Sequence, residues 1–124
     1  MPFRQVGSIM NIEDARLYCL SKPGATEDFP FDETTLAFRV ENKIFAIVDL
    51  ENVDWFCVKC DADYAVELRD KYWQIKPAWH MNKRYWNQMD IEHLSDEFFY
   101  KLVDHSYCEV LKKLPKYVRE KYGL

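Results

Sequence analysis

The sequence predicts an α+β fold in which helices cover an antiparallel sheet, with an element order of about αββββαββαα. Three observations lead to this prediction. The spacing of apolar residues changes from a helical period to strand-like alternation and later returns to the helical period. Polar turn residues separate the short alternating runs, as they do between antiparallel strands. The chain has 124 residues, of which 48% are hydrophobic, and this is enough for one domain with its own core.

The first predicted helix begins after Asn11, a residue type that caps helix N-termini, and ends at Lys22-Pro23-Gly24. The residues before Asn11 show neither a helical nor a strand-like period. We therefore divide the chain into an N-terminal extension over residues 1–10 and a single domain over residues 11–124.

Strand-like alternation follows this break. It predicts strands over residues 35–41, 44–50 and 55–60, which form an antiparallel meander joined by polar turns. Residues 25–31 are predicted to add a strand at the edge of the sheet, because Pro30 has no N–H to donate within a central strand.

The chain then returns to helix and again to strand. Asp61 is predicted to cap a second helix. Residues 75–81 and 85–91 alternate and flank Asn82-Lys83-Arg84, and this pattern predicts a hairpin with a tip of about three residues. Ser95 is predicted to cap the longest helix.

The end of the chain is predicted to be helical. Pro115 fits the first turn of a short terminal helix, and Gly123 stops that helix. The predicted buried stripe of the preceding long helix comprises Phe99, Leu102, Val103, Ser106, Val110 and Leu114.

Composition excludes several classes of protein. The net charge is -4, which is far from that of a uniformly basic nucleic-acid binder. No apolar run approaches the roughly 20 residues of a membrane helix, and the N-terminus lacks an apolar signal segment. We therefore expect a cytoplasmic protein with no membrane association.

Catalytic motifs are also missing from the sequence. The three glycines do not form a phosphate loop, and the three histidines fit no metal or catalytic pattern. His93 and His105 are expected to be structural or surface residues. We predict a protein that is not an enzyme and has no cofactor.

The four cysteines are expected to be free thiols. Cys57 and Cys60 form a single CxxC, and a zinc site would need a second pair of ligands. Because the two lie three residues apart on a predicted strand, their side chains should point to opposite faces of the sheet. Four carboxylates crowd the loop around Phe29-Pro30-Phe31 but match no calcium loop, and we expect solvated turn residues: Glu27, Asp28, Asp32 and Glu33.

Residues 71–89 carry four basic side chains and no acidic one, interleaved with aromatic residues. Cations in such a hairpin could contact phosphates while aromatic rings stack on bases. The alternative is that Trp79 and Trp86 pack in the core and that the charges are only solvated. The basic residues are Lys71, Lys76, Lys83 and Arg84, and the aromatic residues and histidine between them are Tyr72, Trp73, Trp79, His80, Tyr85 and Trp86.

Several ordered motifs resemble the MmcQ/YjbR family of small bacterial proteins. They are residues 23–31 (PGATEDFPF), 35–40 (TLAFRV), 43–46 (KIFA), 58–61 (VKCD) and 79–86 (WHMNKRYW). The resemblance covers nearly all of the chain from Asn11 onward and departs at Tyr85, where the family pattern usually has His. It implies a CyaY-like (frataxin-like) fold and a predicted DNA-binding protein with a double-wing motif, and it transfers no catalytic residue.

The first hypothesis is therefore a DNA-binding domain with weak, salt-sensitive affinity, with a dissociation constant on the order of 10 to 100 μM. Lys76, Lys83 and Arg84 would contact phosphates, and His80, Asn82 and Trp86 would position or stack. A second interpretation stays open, in which the aromatic surface around Trp79, Tyr85 and Trp86 binds a protein or a small ligand. The frataxin-like fold alone suggests a third, an acidic metal site. The sequence does not indicate an oligomeric state.

Overall fold

The computed structural model describes residues 10–124, which form a six-stranded antiparallel sheet and four α-helices. The helices are α1 (Ile12–Leu20), α2 (Ala62–Lys71), α3 (Asp96–Leu111) and α4 (Lys116–Arg119). The strands are β1 (Thr26–Asp28), β2 (Thr35–Val40), β3 (Lys43–Asp49), β4 (Asn52–Lys59), β5 (Ile75–Pro77) and β6 (Trp86–Met89). Short 3₁₀ turns at Ile91–His93 and Glu120–Tyr122 complete the order. The predicted α+β class and element order are confirmed.

The predicted caps account for where the long helices begin. The side chains of Asn11, Asp61 and Ser95 accept the backbone N–H three residues later, at 2.8, 3.2 and 3.2 Å respectively. Gly123 ends the terminal turn in the left-handed conformation, with a φ of 79°. Pro115 is the residue before α4, so it stands one position earlier than predicted.

The strands lie in the order β1-β2-β3-β4-β6-β5. The first four form the predicted meander, and β1 lies at one edge as expected. Strand β6 pairs with β4, so β5 becomes the opposite edge. One row of paired residues runs across five strands, and its side chains share one face of the sheet: Ala37, Ile47, Cys57, Gln88 and Lys76.

The main core lies on the other face, which we call the helical face. Side chains from α1, α2 and α3 pack there against Phe38, Val48 and Phe56 of the sheet. Met10 is fully buried in this core, although the predicted extension included it. The rest of that extension, residues 1–9, lies outside the described residues. The helices therefore bury one face and leave the opposite face to a loop.

This loop comprises residues 78–85. The prediction of a hairpin with a tip of about three residues is therefore wrong. β5 ends at Pro77 and β6 begins only at Trp86. The Ala78 N–H still donates to the Trp86 carbonyl at 3.1 Å, and the next N–H, that of Trp79, donates to the Gln88 side chain at 3.1 Å. Ala78 and Met81 then pack against the small residues of the row described above. We call this side of the sheet the loop face.

The CxxC pair confirms the predicted alternation. Cys57 packs on the loop face and Cys60 in the main core, and neither is in a disulfide. Next to them, the buried Ser106 of α3 accepts the Lys59 N–H at 2.8 Å and donates to the Phe45 carbonyl at 2.5 Å. This hydroxyl joins α3 to β3 and β4 where the pairing of the two strands ends.

Candidate ligand pocket on the loop face

A cavity of about 780 Å³ opens on the loop face, between the 78–85 loop and the adjoining ends of β2, β3 and β4. This volume is within the range of pockets that hold small molecules, roughly 300 to 1,000 Å³. The cavity wall comprises Thr35, Asp49, Asn52, Trp55, Lys76, Pro77, Trp79, His80, Lys83 and Gln88.

Two tryptophans form the aromatic part of the wall. The Trp55 indole N–H donates to the Trp79 carbonyl at 2.8 Å, and the Trp79 N–H donates to Gln88. The backbone of Trp79 is thus held on both sides, yet 63% of the residue is exposed. A ring that an anchored backbone leaves in solvent offers a flat surface for a planar ligand.

His80 follows Trp79 in an unusual backbone conformation. Its φ of 64° lies in the left-handed region, which is uncommon for residues other than glycine. The ring lies edge-on to the Trp79 ring at 4.9 Å and is exposed. Outliers of this kind cluster at ligand sites, where surrounding contacts hold them in place.

The basic side chains of β5 and the 78–85 loop have no acidic partners among the described residues: Lys76, Lys83 and Arg84. At the edge strand β1, by contrast, Arg16 pairs with Glu27 at 2.8 Å and Arg39 pairs with Asp28 at 2.8 Å. The cations around the pocket are therefore available to an anion.

A second positive group lies at the other end of β6. Lys113 and Arg84 both lie over the Tyr85 ring, at 5.2 and 5.6 Å. Lys59 pairs opposite Trp86, so it shares the loop face. Partial burial lowers the pKa of Lys59, and the nearby Lys113 and Lys43 lower that pKa further, against the opposing effect of Glu109.

The structure brings three of the six predicted binding residues to the pocket wall: Lys76, His80 and Lys83. Asn82 and Arg84 are exposed on the same loop, where the Asn82 side chain accepts the Arg84 N–H at 3.1 Å. Trp86 is half-buried and packs against the small residues of the loop face. The exposed ring is that of Trp79.

Several wall residues escaped the sequence analysis. Asp49, Asn52, Trp55 and Gln88 come from three strands that meet only through sheet pairing. One signal was present: Trp55 alternates with the buried Phe56, so its ring had to be on the face away from the main core. That alternation alone could not supply the loop that forms the rest of the wall.

The other candidates have structural roles. Carboxylates around residues 29–31 form contacts within the protein. Glu27 and Asp28 pair with arginines. Asp32 accepts the Thr34 and Thr35 N–H groups, and these hydrogen bonds lower the pKa of Asp32. Within residues 10–124 no group of three or more His, Cys, Asp or Glu side chains is arranged to hold a metal ion. In the same range, no helix is both long and apolar enough to cross a bilayer.

Comparison with known proteins gives a consistent set of relatives. The model of the YjbR family matches residues 20–109. The uncharacterised protein YjbR of Escherichia coli K12 is 32% identical over 113 residues, which cover 90% of this chain and 96% of that protein. The uncharacterised protein YbdF of E. coli O157:H7 is 28% identical over 106 residues, which cover 84% of this chain and 87% of that one.

Two crystal structures share the architecture. A Deinococcus radiodurans protein described as a DUF419 domain superimposes with a TM-score of 0.85 at 30% identity, covering 94% of this chain and 90% of that chain. A protein from Pseudomonas syringae gives a TM-score of 0.64 at 25% identity, covering 78% of this chain and 96% of that chain. Neither description states a ligand or an activity.

Proposed function

The chain belongs to the YjbR family, and we propose that it is a DNA-binding domain without enzymatic activity whose contact surface is the 78–85 loop and the pocket beneath it. One observation carries the proposal: Lys76 and Lys83, both without an acidic partner among the described residues, line the same cavity as the exposed Trp79. Cations that contact phosphates beside a ring that can stack are the elements of nucleic-acid recognition.

The distribution of charge makes this compatible with an acidic protein. Residues 71–89 contain four basic and no acidic side chains, whereas the acidic excess lies in the first half of the chain. Three phosphate contacts on a duplex would give a log-log salt slope of about -2.7. Binding is therefore weak and falls steeply with salt.

The finer features of the fold belong to the same proposal. The antiparallel sheet with its helices on one face is compatible with a CyaY-like architecture, and the 78–85 loop on the opposite face would be one wing of a double-wing motif. We place the protein in the cytoplasm, where it would meet DNA.

Fluorescence anisotropy with labelled DNA at about 50 and 200 mM salt tests the proposal. The double variant Lys83→Glu/Arg84→Glu should lose binding, while the matched control Lys101→Glu, an exposed lysine on α3, should bind like the wild type. Equal loss in both variants would indicate only a general effect of charge, and the proposed surface would be rejected. No binding by the wild-type protein at low salt would reject DNA binding itself.

A second function is favoured by the shape of the site. A cavity of about 780 Å³ with two tryptophans in its wall also fits a protein or small-ligand binding module that never contacts DNA. In that case a small molecule should change the tryptophan fluorescence of a protein that gives no anisotropy signal with any DNA.

A further inference from the structure

Contacts to a phosphate backbone alone do not account for a concave pocket with tryptophans in its wall. Lysines that only neutralise phosphates need no cavity, because phosphates lie on the outside of a nucleic acid. A base inside a duplex is stacked on both faces and cannot reach the wall of a concave pocket. Only a base that is unpaired or turned out of the stack can enter such a site.

The wall offers what a planar base would contact. The Trp79 ring is open to solvent. The backbone carbonyl of Trp79 is held in place by a 2.8 Å hydrogen bond from the Trp55 indole N–H. Stacking of one base on one aromatic side chain changes affinity by roughly tenfold or more. Because the backbone of Trp79 is already fixed, only its side chain has to be ordered when a base binds.

Polar groups of the wall suit one edge of a base. One carboxylate oxygen of Asp49 accepts the Glu51 N–H at 2.9 Å, and its second oxygen has no partner among the described residues. Carboxylates accept hydrogen bonds from the amino group of cytosine. Thymine has no amino group, and its one ring N–H lies between two carbonyl oxygens that a carboxylate repels.

The phosphate of such a nucleotide has its own contacts. Lys76 on β5 and Lys83 on the loop line the cavity and have no acidic partner among residues 10–124. Asp49 is the carboxylate of the wall, so a nucleotide would place its base toward Asp49 and its phosphate toward the lysines. Charge therefore sets the direction in which the ligand lies.

We infer that the pocket captures one unpaired nucleobase together with its phosphate, and that it prefers an amino-bearing base such as cytosine to thymine. The inference rests on the proposed function and makes it more specific, since the DNA-binding surface would then select single strands over duplexes. The same chemistry is present in a free nucleotide, which the experiment must separate from a strand.

Tryptophan fluorescence and anisotropy should be measured with oligo(dC), oligo(dT), a duplex of the same length, and free dCMP. We expect oligo(dC) to bind at least tenfold more tightly than the duplex and more tightly than oligo(dT). Trp79→Ala should reduce oligo(dC) affinity by roughly tenfold or more. The control Trp73→Ala should leave it unchanged, because Trp73 is 66% exposed, compared with 63% for Trp79, but does not line the pocket.

Asp49→Asn tests base recognition separately. It should reduce the preference for oligo(dC) over oligo(dT) without weakening oligo(dT) binding. Equal binding of duplex and single strand, with no effect of Trp79→Ala, would overturn the inference while DNA binding stood. Binding of dCMP with no binding of any oligonucleotide would support capture of a nucleotide in the pocket but reject the proposed DNA-binding function.

Discussion

His105 illustrates how a single side chain can couple the fold to pH. Its Nε2 accepts the backbone N–H of Asp61 at 3.2 Å, and its ring lies edge-on to Tyr64 at 4.9 Å. Partial burial lowers the pKa of His105 below its usual value of 6.5. Protonation of Nε2 would also remove the acceptor at the start of α2. The neutral ring is therefore the form that the fold requires.

The sign of the pH effect follows from this lowered pKa. Below about pH 6.5 the unfolded chain binds a proton that the folded chain resists, so the free energy of unfolding falls as the pH drops toward the folded-state pKa. His105→Gln keeps an acceptor for Asp61 but does not titrate. In urea unfolding, the wild type should lose more stability than this variant between pH 7.5 and pH 5.

A second histidine provides the control for this measurement. His93 is exposed and pairs with Asp90 at 2.8 Å, outside the α2–α3 contact. Between pH 7.5 and pH 5, a His93→Gln variant should lose as much stability as the wild type, whereas His105→Gln should lose less. If the wild type and His105→Gln lost stability in parallel, burial of His105 would not be the cause.

Sequence reasoning succeeded for residues whose role is set by near neighbours. Asn11, Asp61 and Ser95 cap helices through a backbone N–H only three residues away, and this geometry is built into the local sequence. Trp79 and Trp86 were different, because both stood in the same alternating pattern. Which one was exposed depended on where β5 ended, and the chain leaves that strand after Pro77 for a loop that packs against β3 and β4.

At the scale of elements, helix α2 holds the base of the 78–85 loop. The Arg69 Nε donates to the side chain of Asn87 at 2.7 Å, and the same guanidinium donates to the Lys83 carbonyl. Asn87 is 1% exposed and also donates to the Ala65 carbonyl at 3.3 Å. This network connects the loop, β6 and α2 through groups that are costly to leave unpaired.

Arg69→Ala should release the loop. It leaves the buried Asn87 oxygen and the Lys83 carbonyl without their donor, and an unsatisfied buried group costs about 1 to 3 kcal/mol. Under native conditions, trypsin should cleave after Lys83 or Arg84 several-fold faster than in the wild type. The exposed pair of Lys71 and Glu67, at 3.6 Å, provides the control, since Lys71→Ala should leave this rate unchanged. Equal cleavage of Arg69→Ala and the wild type would contradict the proposed restraint.

The elements also show where local patterns stop being informative. Alternation located the strands β2 to β6, because each of them has at least one side chain in a core. It did not give the length of the connection between β5 and β6, because the 78–85 loop is folded by contacts with β3 and β4. Loops shaped by distant partners carry no periodic signal of their own.

For the whole molecule, the arrangement of charge matters more than the net value of -4. Basic residues near α1 and β1 are neutralised in ion pairs, such as Lys22 with Asp104 at 2.7 Å. Those around the pocket have no such partner within residues 10–124. The pocket exists only because β6 pairs with β4 and places β5 at the edge, a non-local pairing that no short stretch of sequence specifies.

The reactivity of the thiols tests the fold as a whole. Cys19 and Cys60 are buried in the main core and Cys57 on the loop face, whereas Cys108 is exposed on α3. Burial raises the pKa of all three buried thiols, and that of Cys60 reaches about 12. Because the thiolate is the reactive form, an alkylating reagent should label one thiol quickly in the native protein and four in urea.

The three buried thiols also report on the cooperativity of unfolding, because they lie on both faces of the sheet. If the sheet unfolds as one unit, all three should become reactive at the rate of global opening. The variant Cys108→Ser should show no fast labelling. Earlier reaction of Cys57 alone, with Cys19 and Cys60 still protected, would mean that the 78–85 loop opens independently of the main core. The pocket would then be a separately mobile layer over a stable sheet.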